Sequence, residues 1–259
     1  MQFYLSHLVS DADMLSFLQQ YPIGVESITF SIADVLDHLP EELPRYQQFL
    51  KQAQPQSLSL HGPFFDLVPA TYDQKLRQIT QERFQAAYEV AQTLHAQRII
   101  YHTGFVPNVY YEESWQNQSI LFWQEFLADK TAEIAIHLEN VLDYRPEYIK
   151  TVLTEVNHPA FSACLDLGHA NVYGQCPLEH WLKVLGNQIG HVHLHNNDGT
   201  FDQHFGLTKG NISYSHYLHQ IQIINPQATC TLEISSVEDM RESLEWLIKQ
   251  SFLKNKKQL

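Results

Sequence analysis

Basic residues are scarce in this chain. Lysine and arginine together number 16 against 29 aspartates and glutamates, a formal net charge of −13. A broad nucleic-acid footprint needs a basic stripe, so that class of partner is disfavoured. The deficit does not exclude a local positive site, because bound divalent cations would be the largest charges in it. Cysteine is also sparse. Cys164, Cys176 and Cys230 form no CxxC pair and are odd in number, which argues against a disulfide framework and fits reduced thiols. No apolar run approaches the roughly 20 residues of a membrane span, and no secretory leader pattern is read at MQFYLSHLV, so no membrane partner and a cytoplasmic location are expected. A Pro/Gly/Ser-rich linker, a low-complexity tract and a solenoid-type repeat are all missing. Residues 1–259 are therefore read as one domain, with the basic KNKK at 254–257 as a solvated tail.

What the chain has instead is 44% hydrophobic residues in a regular alternation. Short apolar runs read as strands: QFYLSHLV, VESITFS, SLSLHGPF, RIIYHTGF, EIAIHLEN, FSACLDLGHA, IGHVHLHN and ATCTLEIS. Between them lie segments with apolar residues at three-to-four spacing, such as DMLSFLQQY, PRYQQFLKQAQ and the long DQKLRQITQERFQAAYEVAQTLHA, which read as amphipathic helices. The first helix is expected to open on Asp11 or Asp13 as N-cap. Eight strand–helix units in order imply parallel strands joined by right-handed crossovers. At this length they imply an α/β fold, a single (β/α)8 TIM barrel, with a doubly wound sheet as the weaker alternative.

A barrel places its chemistry at the C-terminal ends of the strands. On this reading strand three ends at His61, strand four at His102, strand five at Glu139 and strand six at Asp166, with His169 just beyond. Strand seven carries His193, its loop carries Asp202 and His204, and strand eight ends at Glu233. Any one of these alone reads as a hydrogen-bonded core residue or a salt-bridge partner. Together, buried carboxylates at one rim would repel one another and cost several kcal/mol each, unless a cation sits among them. Imidazoles mixed with carboxylates suit zinc or manganese, with iron or cobalt also compatible. His191, His193 and His195 alternate and so point to one side of their strand. One of them is read as a ligand and the others as barrel-filling or hydrogen-bond partners. His137 and His7 are read as structural.

The motifs LHGPF, YHTGF, HLEN, CLDLGHAN, HVHLHNND, DQHFGLTKGNI and TLEIS resemble those of the xylose-isomerase-like TIM barrels. That superfamily joins sugar isomerases and epimerases to the type IV apurinic endonucleases. The resemblance implies nine metal ligands for up to three ions. His61 and His102 would bind the first, with Glu139 bridging to a second held by Asp166, His193 and Glu233. His169, Asp202 and His204 would hold the third. Departures are a shorter chain and Lys209 where the endonuclease pattern tends to have an acid, which makes abasic DNA a poor substrate. Two activities follow from the resemblance. The first is hydrolysis of a small phosphodiester, favoured by the presence of His61 and His102. The alternative is isomerisation or epimerisation of a sugar or sugar phosphate, with one metal, Glu139 and Glu233 as acid–base pair, and His169 steadying the substrate. Lys209 or Arg145 would meet a phosphate or carboxylate. One to three metal ions per chain and a small-molecule substrate are expected, and the oligomeric state is left open.

Overall fold

The computed structural model describes residues 1–254; the basic tail lies outside them except for Lys254, which is exposed. Eight strands, β1 (Phe3–Ser6), β2 (Gly24–Ser27), β3 (Leu58–His61), β4 (Arg98–His102), β5 (Ala135–Glu139), β6 (Phe161–Asp166), β7 (Ile189–Leu194) and β8 (Thr229–Leu232), occur in that order. They close into a barrel in sequence order, and β8 pairs in parallel with β1. Helices follow each strand, as the expected TIM barrel requires.

The period-two alternation of the strands sorts side chains between two compartments. Leu60, Ile136, Leu138, Val192, Leu194 and Leu232 belong to the apolar layer packed against the helices. There Phe84 stacks on Tyr101 at 4.2 Å and Trp123 meets Phe161 at 4.8 Å. The intervening positions face the barrel axis, and here they are polar. His191 contacts Thr229 and Thr231 through its two ring nitrogens at 2.6 and 2.9 Å, and His137 bonds Ser162 at 2.8 Å. The two imidazoles stack at 5.4 Å, below the mouth. Burial holds both below the ordinary histidine range, His191 at about 4, so they are neutral filling.

Three local readings are corrected. The first helix, Asp11–Gln20, is capped by Ser10 rather than by Asp11 or Asp13: the Ser10 hydroxyl accepts from the Asp13 amide at 3.2 Å. The two aspartates occupy the first turn instead, where they favour the helix dipole. The second strand stops at Ser27, and Thr29–Ser31 winds into a 3-10 turn. The helix expected to start at Pro44 runs from Leu39 to Ala53, with Pro40 in its first turn, where a missing amide proton costs nothing. His7 follows the end of β1, with its ring 3.3 Å from Asp11 and against Phe49.

Candidate metal centre

Strand register brings the expected ligands together. His102 is in register with Glu139, and Asp166 with His193. Asp202 and His204 arrive by a different route. The loop after β7 doubles back through an antiparallel bridge between Asn196 and Phe205, with both backbone bonds at 2.8 Å. Asn196 pins the loop further by donating to the Leu207 and Ile212 carbonyls. His204 sits at φ 50°, a left-handed conformation unfavourable for a side chain with a Cβ and common where a site dictates the geometry.

The result is three adjoining donor groups: His61, His102 and Glu139; Glu139, Asp166, His193 and Glu233; and His169, Asp202 and His204 joined by His195. In the first, the Nε2 atoms of His61 and His102 lie 3.2 Å apart, and both are within 3.5 Å of Glu139 Oε2. In the second, His193 Nδ1 lies 2.9 Å from Glu139 Oε1, 3.3 Å from Glu233 Oε2 and 3.8 Å from Asp166 Oδ2. In the third, Asp202 Oδ2 is 3.3 Å from His169 Nε2 and 3.2 Å from His204 Nε2. Backbone carbonyls hold the remote ring nitrogens: Gly62 O faces His61 Nδ1, Asn140 O faces His169 Nδ1, and Glu233 O faces His204 Nδ1. Each ring therefore directs Nε2 into the site, as outer partners do for metal-binding imidazoles. Asn140 also clamps the end of β6 by bonding both the amide and the carbonyl of Asp166.

The electrostatics fit a cation. Burial opposes the charge on Glu139, but His193 and His102 outweigh it and hold the carboxyl well below its usual range. Glu233 falls to about 2 against the same opposition from burial, chiefly through His193. Burial lowers His102 to about 3, whereas His169 rises to about 10 because Asp166 and Asp202 overcome its burial. In this state protons on histidines neutralise the carboxylates; a divalent ion would replace them. Glu139 Oε2, Glu233 Oε2, Asp202 Oδ1 and His195 Nδ1 are buried without a hydrogen-bond partner, a costly condition that ligation relieves. The residues present thus fit a divalent metal. Cys164 lies beside His191 and His193, and burial drives its thiol well above the ordinary range.

One contributor, Glu26, escaped the sequence, and a second, His195, is read there only as a filling or hydrogen-bonding neighbour of the strand-seven ligand. Glu26 is fully buried on β2; its Oε2 accepts from Ser59 and Thr231 at 2.9 and 2.8 Å, and its Oε1 lies 3.1 Å from His193 Nε2. Burial resists its charge, but His193 and His191 hold the carboxyl well below the usual range. Its only sequence signal is one acid in the otherwise uncharged run IGVESITFS. His195 lies 3.1 Å from Asp166 and 3.6 Å from Asp202, with its ring stacked on His204 at 3.7 Å. Gly168 makes room for it: a Cβ there would fall 2.1 Å from the His195 ring. Two residues are not brought to the cluster. Lys209 pairs with Asp239 at 2.5 Å and Glu242 at 3.2 Å, and Arg145 pairs with Glu112.

Known proteins share this architecture. An uncharacterised protein of Methanocaldococcus jannaschii is 27% identical over 252 residues, covering 86% of this chain and 84% of its own length. A D-tagatose 3-epimerase-like protein superposes with a TM-score of 0.82 at 24% identity, over 97% of both chains. A Thermus thermophilus protein soaked with ZnCl2 superposes with a TM-score of 0.79 at 25% identity, over 97% of this chain and 98% of its own. The sequence profile of the xylose isomerase-like TIM barrels matches residues 22–250, and the chain belongs to that family.

Proposed function

We propose that this protein is a divalent-metal-dependent isomerase or epimerase acting on a small, neutral, polyhydroxylated carbonyl compound. The carrying observation is the convergence of Glu139 and Glu233 on His193 Nδ1, at 2.9 and 3.3 Å, with one buried oxygen of each left unpartnered. Glu139, Asp166, His193 and Glu233 would hold the ion, zinc or manganese. When bound, such an ion polarises adjacent substrate oxygens and acidifies the neighbouring C–H. The two glutamates leave β5 and the end of β8, three places apart around the barrel, and so reach one space from different directions. One takes the proton from the carbon beside the carbonyl. The other returns a proton, to the same carbon in an epimerisation or to the former carbonyl carbon in an isomerisation. His169, anchored through Nδ1 on Asn140, offers Nε2 to a substrate hydroxyl.

Neutrality follows from the loops that leave the C-terminal ends of the strands. They carry two basic residues, Arg145 and Lys209, and both are engaged with carboxylates. Among the described residues, a sugar phosphate would find no free side-chain cation there. Likeness to the D-tagatose 3-epimerase-like protein supports the reading at the level of the fold. The test is deuterium exchange. Protein loaded with Mn²⁺ or Zn²⁺ is incubated in D2O with neutral ketoses and aldoses, and incorporation beside the carbonyl is followed by mass spectrometry. Exchange lost in Glu139→Gln and in Glu233→Gln is expected; absence of exchange with every sugar tried, at full metal occupancy, refutes the reading.

A second reading, hydrolysis of a small phosphodiester, is favoured by the facing imidazoles of His61 and His102 and by the third donor group. Clustered ions activate water and stabilise a leaving oxygen. Elemental analysis separates the two readings. About three ions per chain with cleavage of bis(p-nitrophenyl) phosphate supports hydrolysis, and about one ion with deuterium exchange supports isomerisation.

A further inference from the structure

A hollow of about 340 Å³ opens beside the donor cluster, and His102 forms part of its wall. The rest of the lining is mainly apolar, from the loops after β3, β4 and β5: Phe64, Leu67, Val68, Phe105, Val106 and Leu142. Phe64 joins the two regions. Its ring stacks on the His102 imidazole at 4.4 Å, and Phe65 continues the aromatic surface at 4.3 Å from Phe64 while 65% exposed. Beyond Val106 the same loop presents Val109 and Tyr111 to solvent, along a further cavity of about 680 Å³. Among the described residues, Asp66 is the one charged side chain lining the hollow.

An apolar hollow of this size lies at the lower end of the range for small-molecule pockets and holds a single or fused ring. The His102 imidazole is both a wall of the hollow and a member of the donor cluster, so a molecule whose oxygens sit on the cluster lies one side chain away from it. Keeping such surface open to water is unfavourable, and burial against a ligand recovers roughly 25 cal/mol per Å². A bare hexose, hydroxylated on every carbon, would leave the hollow unfilled or place hydroxyls against Phe64 and Leu142 without partners. We infer that the natural substrate is amphiphilic: a neutral polyol or sugar head at the donor cluster, bearing an apolar, ring-sized substituent that occupies the hollow between the loops after β3, β4 and β5. This rests on the reading of the cluster as the site of a small polyhydroxylated substrate.

The test compares 6-O-phenyl-D-fructose with 6-O-methyl-D-fructose on the Mn²⁺-loaded protein, by ligand-observed NMR. The phenyl compound is expected to bind at least about tenfold more tightly, the increment for burying much of one ring, and its ring protons to be relaxed by the Mn²⁺. Val106→Trp, which fills the hollow, and Leu142→Ser, which makes its wall polar, should each abolish most of that preference while metal content stays unchanged. Neither residue belongs to a donor group. Equal affinities, undetectable binding of the phenyl compound, or a preference that survives in both variants overturns the inference. So does a wild-type dimer that Val106→Trp converts to monomer without any aryl preference, because a second copy then covers the hollow. Because the readout is binding, its failure is distinct from a failure of deuterium exchange, which tests the chemistry of the cluster.

Discussion

Glu26→Gln is expected to weaken metal binding more than its small change in size implies. Glu26 Oε1 lies 3.1 Å from His193 Nε2 and neither atom has another partner, while Oε2 accepts from both Ser59 and Thr231. Two hydroxyl donors demand an oxygen on their side, so a glutamine at position 26 turns its amide NH2 toward His193. Nε2 must then accept, the ring proton moves to Nδ1, and Nδ1 is the nitrogen that faces Glu139, Asp166 and Glu233. A protonated nitrogen cannot ligate. The lost charge adds to this. Two unit charges at 3.1 Å interact by about 5 kcal/mol at an effective dielectric of about 20, an upper bound that burial of the glutamate largely offsets. Partners of this kind typically contribute a factor of about 10–100 in metal affinity, or roughly 1.4–2.7 kcal/mol. Competition of Mn²⁺ or Zn²⁺ against a fluorescent chelator measures it, with the Tm of the metal-free protein as control for folding. Glu26→Ala, which leaves space for water to serve either tautomer, should lose less affinity than Glu26→Gln. The reverse order, or an unchanged Kd in Glu26→Gln, would refute the argument.

Further outcomes follow from the same geometry. Metal-free protein should be most stable near pH 6.5. His61, His169, His193 and His204 are raised above 6.5 in the folded state, so their contribution is full below that pH and is lost as pH climbs through about 9 for His204 and about 10 for His169. His102, His137 and His191 are depressed, and stability is lost as pH falls below 6.5 while the unfolded chain takes up their protons. A Tm rising steadily from pH 5 to pH 9 after chelation would contradict this. Gly168→Ala forces a Cβ against the His195 ring and should destabilise by about 1–3 kcal/mol in urea unfolding, with reduced metal content; wild-type behaviour on both counts would show that His195 moves freely. His61→Ala combined with His102→Ala should remove one equivalent of metal and phosphodiesterase activity if the centre is multinuclear. Under the isomerase reading, deuterium exchange and metal at His193 survive that double substitution.

Much of this protein was legible before any tertiary structure. Alternation of apolar runs with three-to-four-spaced segments is a local property, so eight strand–helix units, and from them the barrel, could be read directly. Placing His61, His102, Glu139, Asp166 and Glu233 at strand ends needed nothing more than that period. Errors arose where short-range competition decides the outcome, as when the Ser10 hydroxyl outcompeted Asp11 and Asp13 for the helix cap. Glu26 was invisible for a different reason. One acid in a short strand has no pattern, and its meaning comes only from closing the barrel, which sets β2 beside Ser59 and across from His193 and Thr231. Lys209 and Arg145 were chemically plausible anion binders until folding supplied nearer carboxylates in Asp239 and Glu112. The sequence by itself thus determined the barrel and its ring of donors, because hydrophobic period and strand ends are written residue by residue. Only the tertiary structure decided which ring nitrogen faces the site, which cations are already neutralised and where an apolar hollow adjoins the donors, because each depends on side chains far apart in the chain meeting in space.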